Sequence, residues 1–510
     1  MLVILIAARV LNAQTANQAS LTQRVVQLTD AMAHAQAQLE RAQHDLEEMH
    51  QQLIQLQREM AANQSAALST SAAAPDRTEL PVVAPADTSE STAGAIDNLR
   101  ERQAMQESEI ATQEQTKVES ESKYPVKVTG MLLMNGFKNT SAVDAAANPS
   151  VAIGGQGSAG ATVRQTILGF DARGPHLFGA SSFADLRVDF YGSQAASAST
   201  TSYSGYYNTS SPLLRLRTAH AGLDWDRTQV YFALDHAIIS PDTPTSLTAT
   251  ALPALAWSGN LWTWNPQAGI TESLAATGST GLVLEAALID TNDAPLTPAV
   301  APSSTVTYLP PTSAEQSSKP GVEARVALFG PGQDDTRLHV GIGGYFAKHN
   351  SAFGRDYDSW ASTLDARLPL LARLELTGNF YRGAALGGLG AGGLKDFAYS
   401  PNPNTGGFYF RPLDDVGGWA QLKERATERL ELNAAYGMDN VFAGQLRRYY
   451  VEGGSVIHNL ARNRTFTGNV IYSPSAYLIF SVEYRRLEST PVEDLGASSN
   501  IIGVGAGYRF

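Results

Sequence analysis

The chain has no cysteine, and its 37 Lys and Arg are outnumbered by 49 Asp and Glu. Nowhere does it string together the ~18 apolar residues that a membrane helix needs. Each absence excludes a class. Without thiols there is no disulfide framework, no cysteine-held zinc or iron–sulfur cluster, and no thiol nucleophile. A formal charge of −12 over 510 residues argues against nucleic acid as a partner, because phosphate backbones demand a basic footprint. The nine histidines lie mostly in an N-terminal heptad segment or singly on strands (His220, His236, His339). They form no nucleophile–base grouping, and no G-x-S-x-G occurs. The sequence therefore asks for no enzyme activity, no cofactor and no metal. Hydrophobic residues still make up 43% of the chain. They are plentiful but dispersed, as in a β-barrel that crosses a membrane with apolar residues at alternate positions.

The first 125 residues differ in texture from the rest. Leu2–Ala8 is an apolar run stopped by Arg9, and Leu11-Asn12-Ala13 before Gln14 reads as a signal-peptidase site. Residues 1–13 are thus expected to be the remnant of a signal peptide; a frayed apolar terminus is the alternative. The usual basic n-region is missing, which points to a true start upstream. From 18 to 62, Leu21, Val25, Leu28, Met32, Ala35, Leu39, Ala42, Leu46, Met49, Leu53, Leu56 and Met60 follow a strict four–three spacing without Pro or Gly. That is a coiled-coil seam, a rod of roughly 60 Å at ~1.5 Å per residue. So narrow a stripe must meet another helix, and a second copy of the chain is the natural partner. The core layers do not choose between two and three strands. His34, His44 and His50 fall on its solvated faces. Residues 63–125 read as an Ala/Ser/Thr/Pro linker, with a possible short helix over 96–118.

From Val126 onward, runs of about ten residues alternate apolar and polar, a period of two. Phe183–Phe190, Val322–Leu328 and Leu478–Tyr484 are clear cases. Sixteen strands fit between 126 and 510. Short connections (226–227, 275–278, 369–371, 426–427, 474–475) are interspersed with long ones (138–160, 193–212, 238–265, 290–319, 383–415, 438–462). Short turns on one rim and long loops on the other describe an outer-membrane barrel. A soluble sandwich would alternate as well, and a propeller would show a blade-length repeat. Against both stand aromatics near strand ends (Phe137, Trp225, Trp360, Tyr381, Tyr436, Tyr472, Tyr484), placed as interfacial girdles. The closing strand Ile502–Phe510, apolar at every second position and ending in Phe, looks like an outer-membrane assembly signal. An all-β barrel of sixteen antiparallel strands with an N-terminal α-helical coiled coil is the expected architecture.

This organisation resembles the DcaP-like trimeric porins, relatives of the phosphate-selective porin O/P group. Arg164-Gln165-Thr166-Ile167-Leu168-Gly169-Phe170 is similar to that family's R-Q-S-R-L-G-F, Asp189-Phe190-Tyr191-Gly192 to its D-F-x-G, and Leu214–Ala219 to its L-R-L-R-x-A. Asn469–Pro474 and Val482-Glu483-Tyr484 resemble N-x-x-Y-x-P and x-E-Y. One departure stands out: Ile167 replaces the second Arg of the first motif, removing a cation that the family would place in the lumen. The resemblance implies a trimer with a periplasmic coiled coil, and passage of small, often anionic, solutes such as dicarboxylates.

Strand alternation assigns Arg187, Arg215, Arg217, Arg325, Arg337, Arg367 and Arg373 to the lumen, among carboxylates that include Asp185, Asp189, Asp235, Glu285 and Asp365. Arg215 and Arg217 make a short basic ladder on one strand, either an anion path or partners of cross-strand carboxylates. The loop Ile238–Asn265 carries Asp242, Trp257, Trp262 and Trp264; three Trp so close together would be costly in water. It is expected to fold inward as a constriction, with latching of a neighbouring subunit as the rival role. A porin in contact with outer-membrane lipid and solutes in transit is the leading reading. A tether to peptidoglycan through the coiled coil is the alternative.

Overall fold

The computed structural model describes residues 126–192, 213–277, 280–298, 311–330, 338–404, 406–452 and 456–510. The chain divides into two compact units, Met1–Ser91 and Thr92–Phe510, and every described residue belongs to the second. The signal peptide, coiled coil and linker lie outside the described residues.

Seventeen strand segments form one sheet. In chain order they are β1 (Val126–Asn139), β2 (Ser158–Thr162), β3 (Ile167–Leu177), β4 (Ala180–Asp189), β5 (Arg215–Asp224), β6 (Thr228–Asp235), β7 (Asn265–Thr277), β8 (Thr280–Ile289), β9 (Gly321–Phe329), β10 (His339–Asn350), β11 (Asp356–Leu371) and β12 (Leu374–Ala384). After a small separate hairpin, β13 (Phe397–Pro401) with β14 (Phe408–Pro412), come β15 (Asp414–Arg425), β16 (Leu430–Val441), β17 (Leu460–Tyr472), β18 (Leu478–Pro491) and β19 (Ala497–Arg509). Both β2 and β3 lie antiparallel on β1, so they are two lengths of one strand, and the barrel has sixteen. Every neighbour pairs antiparallel, and β19 returns to β1. The ladder closes on the last residue: Gly130 N donates to Phe510 O at 2.9 Å and Phe510 N to Gly130 O at 3.1 Å.

Closure leaves no sheet edge on which backbone groups face hydrocarbon unpaired, and alternation then decides what each face presents. Outward sit Phe232, Leu328, Ile342, Leu364, Phe380, Phe466, Val482 and Ile502, all exposed. Inward sit Thr363, Asn379, Gln421, Asn433, Asn463, Thr465 and Asn469, all buried. The molecule is apolar outside and polar inside, the reverse of a soluble sandwich. The aromatic belt holds for Tyr436, Tyr472 and Tyr484, which are exposed on the outer face. Tyr381 is a correction: it points inward, is fully buried, and donates to Asp439 Oδ1 at 2.7 Å.

Two further departures concern continuity. The second strand, expected over 161–173, breaks at Val163–Thr166. There the Thr166 hydroxyl replaces the ladder, accepting from Leu133 N at 3.0 Å and donating to Leu133 O at 3.3 Å. On the long-loop rim, β10–β11 and β18–β19 are joined by only five residues each, 351–355 and 492–496. The segment after β16 is loop, as expected, with a short helix α1 (Ala443–Leu446) in it.

Leu364 lies mid-strand on the outer face. Leu364→Arg should weaken folding into lipid vesicles by about 2–4 kcal/mol, the cost of a cation near the bilayer midplane, whereas Leu364→Met should cost less than about 1.5. Urea titration in vesicles measures both.

Candidate functional site: the lumen and its inward loop

The break in the second strand re-aims three side chains at once. Arg164 donates to Phe190 O (3.2 Å) and Gly192 O (2.9 Å), with its guanidinium 4.4 Å over the Tyr191 ring. Gln165, fully buried, points inward: its Oε1 accepts from Thr250 N (2.8 Å) and Ala251 N (3.1 Å), and its Nε2 donates to Thr248 O (2.9 Å). A bulged strand commonly re-aims side chains in this way. The Arg-Gln-Thr motif is therefore a joint between the wall and the loop of residues 236–264.

That loop runs through the interior and is held from around the barrel. Asn379 Nδ2 donates to Ile239 O at 3.1 Å. Thr245 N donates to Gln421 Oε1 at 2.6 Å, and Asn469 Nδ2 to Thr245 O at 2.8 Å. Glu483 accepts from Ser246 Oγ (2.6 Å), Thr248 Oγ1 (2.8 Å) and Arg485 Nη2 (2.6 Å). Asn135 Nδ2 reaches Leu247 O at 2.9 Å, and Asn463 Nδ2 reaches Trp257 O at 2.9 Å. The backbone comes very close to the wall at Gly259, where φ is 98° and an added Cβ would lie 2.1 Å from Gly418 O. Only glycine tolerates that approach.

The loop residues singled out above all lie in this interior segment. Trp257 and Trp262 are buried and meet edge-on at 5.7 Å, packed with Val151, Leu394 and Leu460. Trp264 meets Trp262 at 5.6 Å and stacks on His236 at 5.8 Å. Asp242 is paired with Arg367, and His339 Nε2 lies 2.9 Å from its Oδ2. Burial alone would raise the Asp242 carboxyl. The approach of His339 and the Arg367 charge outweigh it and hold the group below the usual carboxylate value.

Of the arginines, Arg215 and Arg217 converge on one carboxylate. Arg215 pairs with Asp189 in a fork (Nε 3.0 Å, Nη2 2.5 Å) and donates to Ala251 O at 2.6 Å. Arg217 Nη1 is 3.7 Å from Asp189, and the guanidiniums of Arg215 and Arg217 lie 5.1 and 5.2 Å from the Trp264 ring. Asp189 is fully buried. Ile167 faces Asp189 in register, so no third arginine competes there. Arg187 pairs with Asp171 at 2.6 Å. Arg325 bridges Asp365 and Glu285, each at 2.6 Å. Arg337 lies outside the described residues. Arg373 is a correction: it stands in the exposed two-residue turn between β11 and β12, where Nη1 donates to Ala426 O at 2.8 Å, so it is no part of the wall.

Two cavities border the loop. One of about 420 Å³ is lined by Asp185, His220, Tyr231, Asp235, His236 and Glu285. His220 is not isolated as its sequence neighbourhood suggested: its ring nitrogens lie 3.0 Å from Asp185 and 2.9 Å from Asp235. The other, of about 890 Å³, lies at the break in the second strand and is lined by Arg164, Arg215, Tyr191, Asp144 and Leu252 together with exposed Met134 and Val163. Asp144 is committed to Ser150 and to the backbone of Val151.

Sequence reasoning missed a second inward segment, 385–398. Leu386, Leu389 and Ala391 are buried with Ile239, Tyr345 and Tyr381. Gly392 N donates to Asp415 Oδ2 and Gly393 N to Asp439 Oδ2, both at 2.8 Å. Burial pushes the Lys395 amine down to about 7, and its Nζ donates to Gly393 O at 2.7 Å and Leu460 O at 3.1 Å. The run Gly387-Gly388-Leu389-Gly390-Ala391-Gly392-Gly393-Leu394 was the available clue, since such glycines mark close backbone packing.

The closed sixteen-strand wall, polar interior and inward loop after the fifth barrel strand are the fold of outer-membrane porins. No protein-family model matches the chain and no curated protein is similar to it in sequence. Among solved structures it is similar to the outer-membrane channel DcaP of Acinetobacter baumannii, with TM-score 0.52 and 16% identity over 76% of this chain and 97% of that one. An anion-selective porin from Comamonas acidovorans (TM-score 0.46, 12% identity, 76% and 100% covered) and OmpF of Salmonella typhi (0.46, 10%, 76% and 97%) are also similar. The likeness to DcaP is one of fold, and it falls on the group to which the sequence motifs pointed.

Because Asp242 titrates below its ordinary value when folded, its stabilisation of the loop is complete above about pH 3.8 and is lost as pH falls through the lower folded value. Tryptophan emission should therefore shift to the red as pH falls below about 3.8. Asp242→Asn should lose about 1–3 kcal/mol of loop anchoring, show the red shift already at neutral pH, and flatten the acid step. An unchanged acid profile in the variant would show that the loop is held elsewhere.

Proposed function

We propose that the chain is an outer-membrane channel for passive diffusion of small hydrophilic solutes, with anionic, dicarboxylate-like solutes favoured at its narrowest part. The observation that carries this reading is a polar interior crossed by a loop, beside which Arg215 and Arg217 share the single carboxylate of Asp189. Together with Arg164 they leave an excess of positive charge next to Trp264 and Tyr191. A low-dielectric rim focuses such a field on a passing anion. The acidic cavity on the other flank makes the field transverse rather than uniform, orienting a solute without trapping it.

In the same reading the channel is a homotrimer whose heptad segment projects into the periplasm. The heptads also favour a second role, a tether contacting peptidoglycan, which is compatible with conduction.

Planar-bilayer recordings of the purified protein test the proposal. Stepwise conductance is expected, and in an asymmetric salt gradient Arg215→Ala and Arg217→Ala should each move the anion/cation permeability ratio at least twofold toward cations. Absence of any steps would leave only the tether, and steps with unchanged permeability ratios would remove the two arginines from the solute path.

A further inference from the structure

The outer face is apolar over most of its height, yet three arginines stand together on it. Arg462 and Arg464 point outward from β17, and Arg486 from β18. Register places them side by side: Arg464 opposes Glu488, and Phe466 opposes Arg486. Glu488 holds two of them, with Oε2 2.6 Å from Arg464 Nη2 and Oε1 2.8 Å from Arg486 Nε. Arg462 is oriented by a neutral partner, its Nε donating to Asn440 Oδ1 at 2.9 Å. Among the described residues, Glu488 is the one carboxylate within ion-pair distance of the three, so two positive charges remain uncompensated. The acids in the loop above are committed: Glu493 pairs with Arg447, and Asp494 accepts from Tyr450 Oη at 2.9 Å and Asn459 Nδ2 at 3.2 Å. Arg464 and Arg486 keep 39% and 49% of their side-chain surface exposed, so both have donors to spare.

Height on the wall identifies what these donors meet. Tyr472 ends β17 on the short-turn rim, and Arg462 lies ten residues further along the same strand. At ~3.3 Å per residue and a strand tilt of ~40°, that separation is roughly 25 Å, the height of the apolar band in barrels of this kind. Arg462 thus stands where the band ends on the long-loop rim, at the level of lipid headgroups. By the same measure Arg464 and Arg486 start roughly 20 and 15 Å up, and Glu488, opposite Arg464, draws the Arg486 guanidinium toward that rim. Uncompensated guanidiniums facing hydrocarbon would be costly, whereas a guanidinium matches a phosphate through paired N–H donors. Phe466 beside Arg486, and Val482 and Ile502 below it, offer acyl chains an apolar wall.

We propose that Arg462, Arg464 and Arg486 form a binding site for the phosphate groups of a phosphorylated glycolipid in the outer leaflet, with Glu488 fixing two of the guanidiniums. The site rests on the outer-membrane reading but takes no part in the solute path.

The full chain in detergent micelles, doped with diphosphoryl lipid A, its monophosphoryl form or phosphatidylcholine, tests this by the number of lipid molecules retained in native mass spectrometry. Wild type should retain diphosphoryl lipid A at least tenfold over phosphatidylcholine, with the monophosphoryl form between them. The triple variant Arg462→Gln, Arg464→Gln, Arg486→Gln should lose that preference, and Arg462→Gln alone, oriented by neutral Asn440, should lower retention two- to threefold while folding normally. Conductance should stay at the wild-type level in both, because these side chains face away from the lumen. Equal retention of all three lipids by wild type, or undiminished retention by the triple variant, would overturn the site. So would efficient cross-linking between copies through Arg464→Cys, which would make this face a contact between subunits.

Discussion

Everything in this molecule depends on the closure of one antiparallel ladder. Once β19 pairs with β1 and Phe510 completes the pairing at Gly130, the sheet has no open edge. The side chains are then free to separate by parity alone. Apolar residues face outward into surroundings that do not solvate peptide groups, and Asn, Thr, Gln and charged residues face a polar interior. A soluble protein of this size would bury the first set and expose the second. The inversion, rather than any single contact, makes the barrel stable only in an apolar environment.

A polar interior creates the conditions for the loop. The segment 236–264 has backbone donors and acceptors to satisfy, and the inward Asn, Gln, Thr and Glu residues satisfy them at intervals around the wall. Its aromatic part behaves differently: Trp257 and Trp262 pack with Leu394 and Leu460, a small hydrophobic core held within a hydrophilic lumen. The loop is consequently tied by polar bonds along one stretch and by burial along the other. Asp189 has a related double duty. It sits fully buried, yet its two arginines also touch the loop or its flanking Trp264, so the charge pattern of the lumen and the position of the loop are set by the same residues.

The wall was legible in the sequence because its grammar is local. A period of two, turn residues between runs and a terminal aromatic can each be read within ten residues, and inward placement of Arg187, Arg215, Arg217, Arg325 and Arg367 follows from parity. Arg373 failed because parity does not extend into a two-residue turn. Tyr381 failed because parity, not nearness to a strand end, decides its side: it shares the alternation of Glu375, Thr377 and Asn379, all inward, and donates to Asp439. The pairing of His220 with Asp185 and Asp235, and of His339 with Asp242, joins strands and a loop that have no sequence relation. The break at Val163–Thr166 was hidden because Thr and Gln are ordinary strand residues; what interrupts the ladder is the reach of their side chains to Leu133 and to the loop.

The most direct test of the inverted wall uses the absence of cysteine, since any single Cys can be labelled cleanly. Nitroxides placed one at a time from Ile342 to Phe346 on β10 and from Ser362 to Ala366 on β11, in protein reconstituted into vesicles, can be probed with oxygen and with a water-soluble nickel chelate. Oxygen accessibility should peak at Ile342, Gly344, Phe346, Ser362, Leu364 and Ala366 and fall at the positions between them, which face the packed interior, while the nickel reagent stays low at the outward set. Uniform access of the nickel reagent to both sets, or a folded and monodisperse protein in buffer without detergent, would contradict the account.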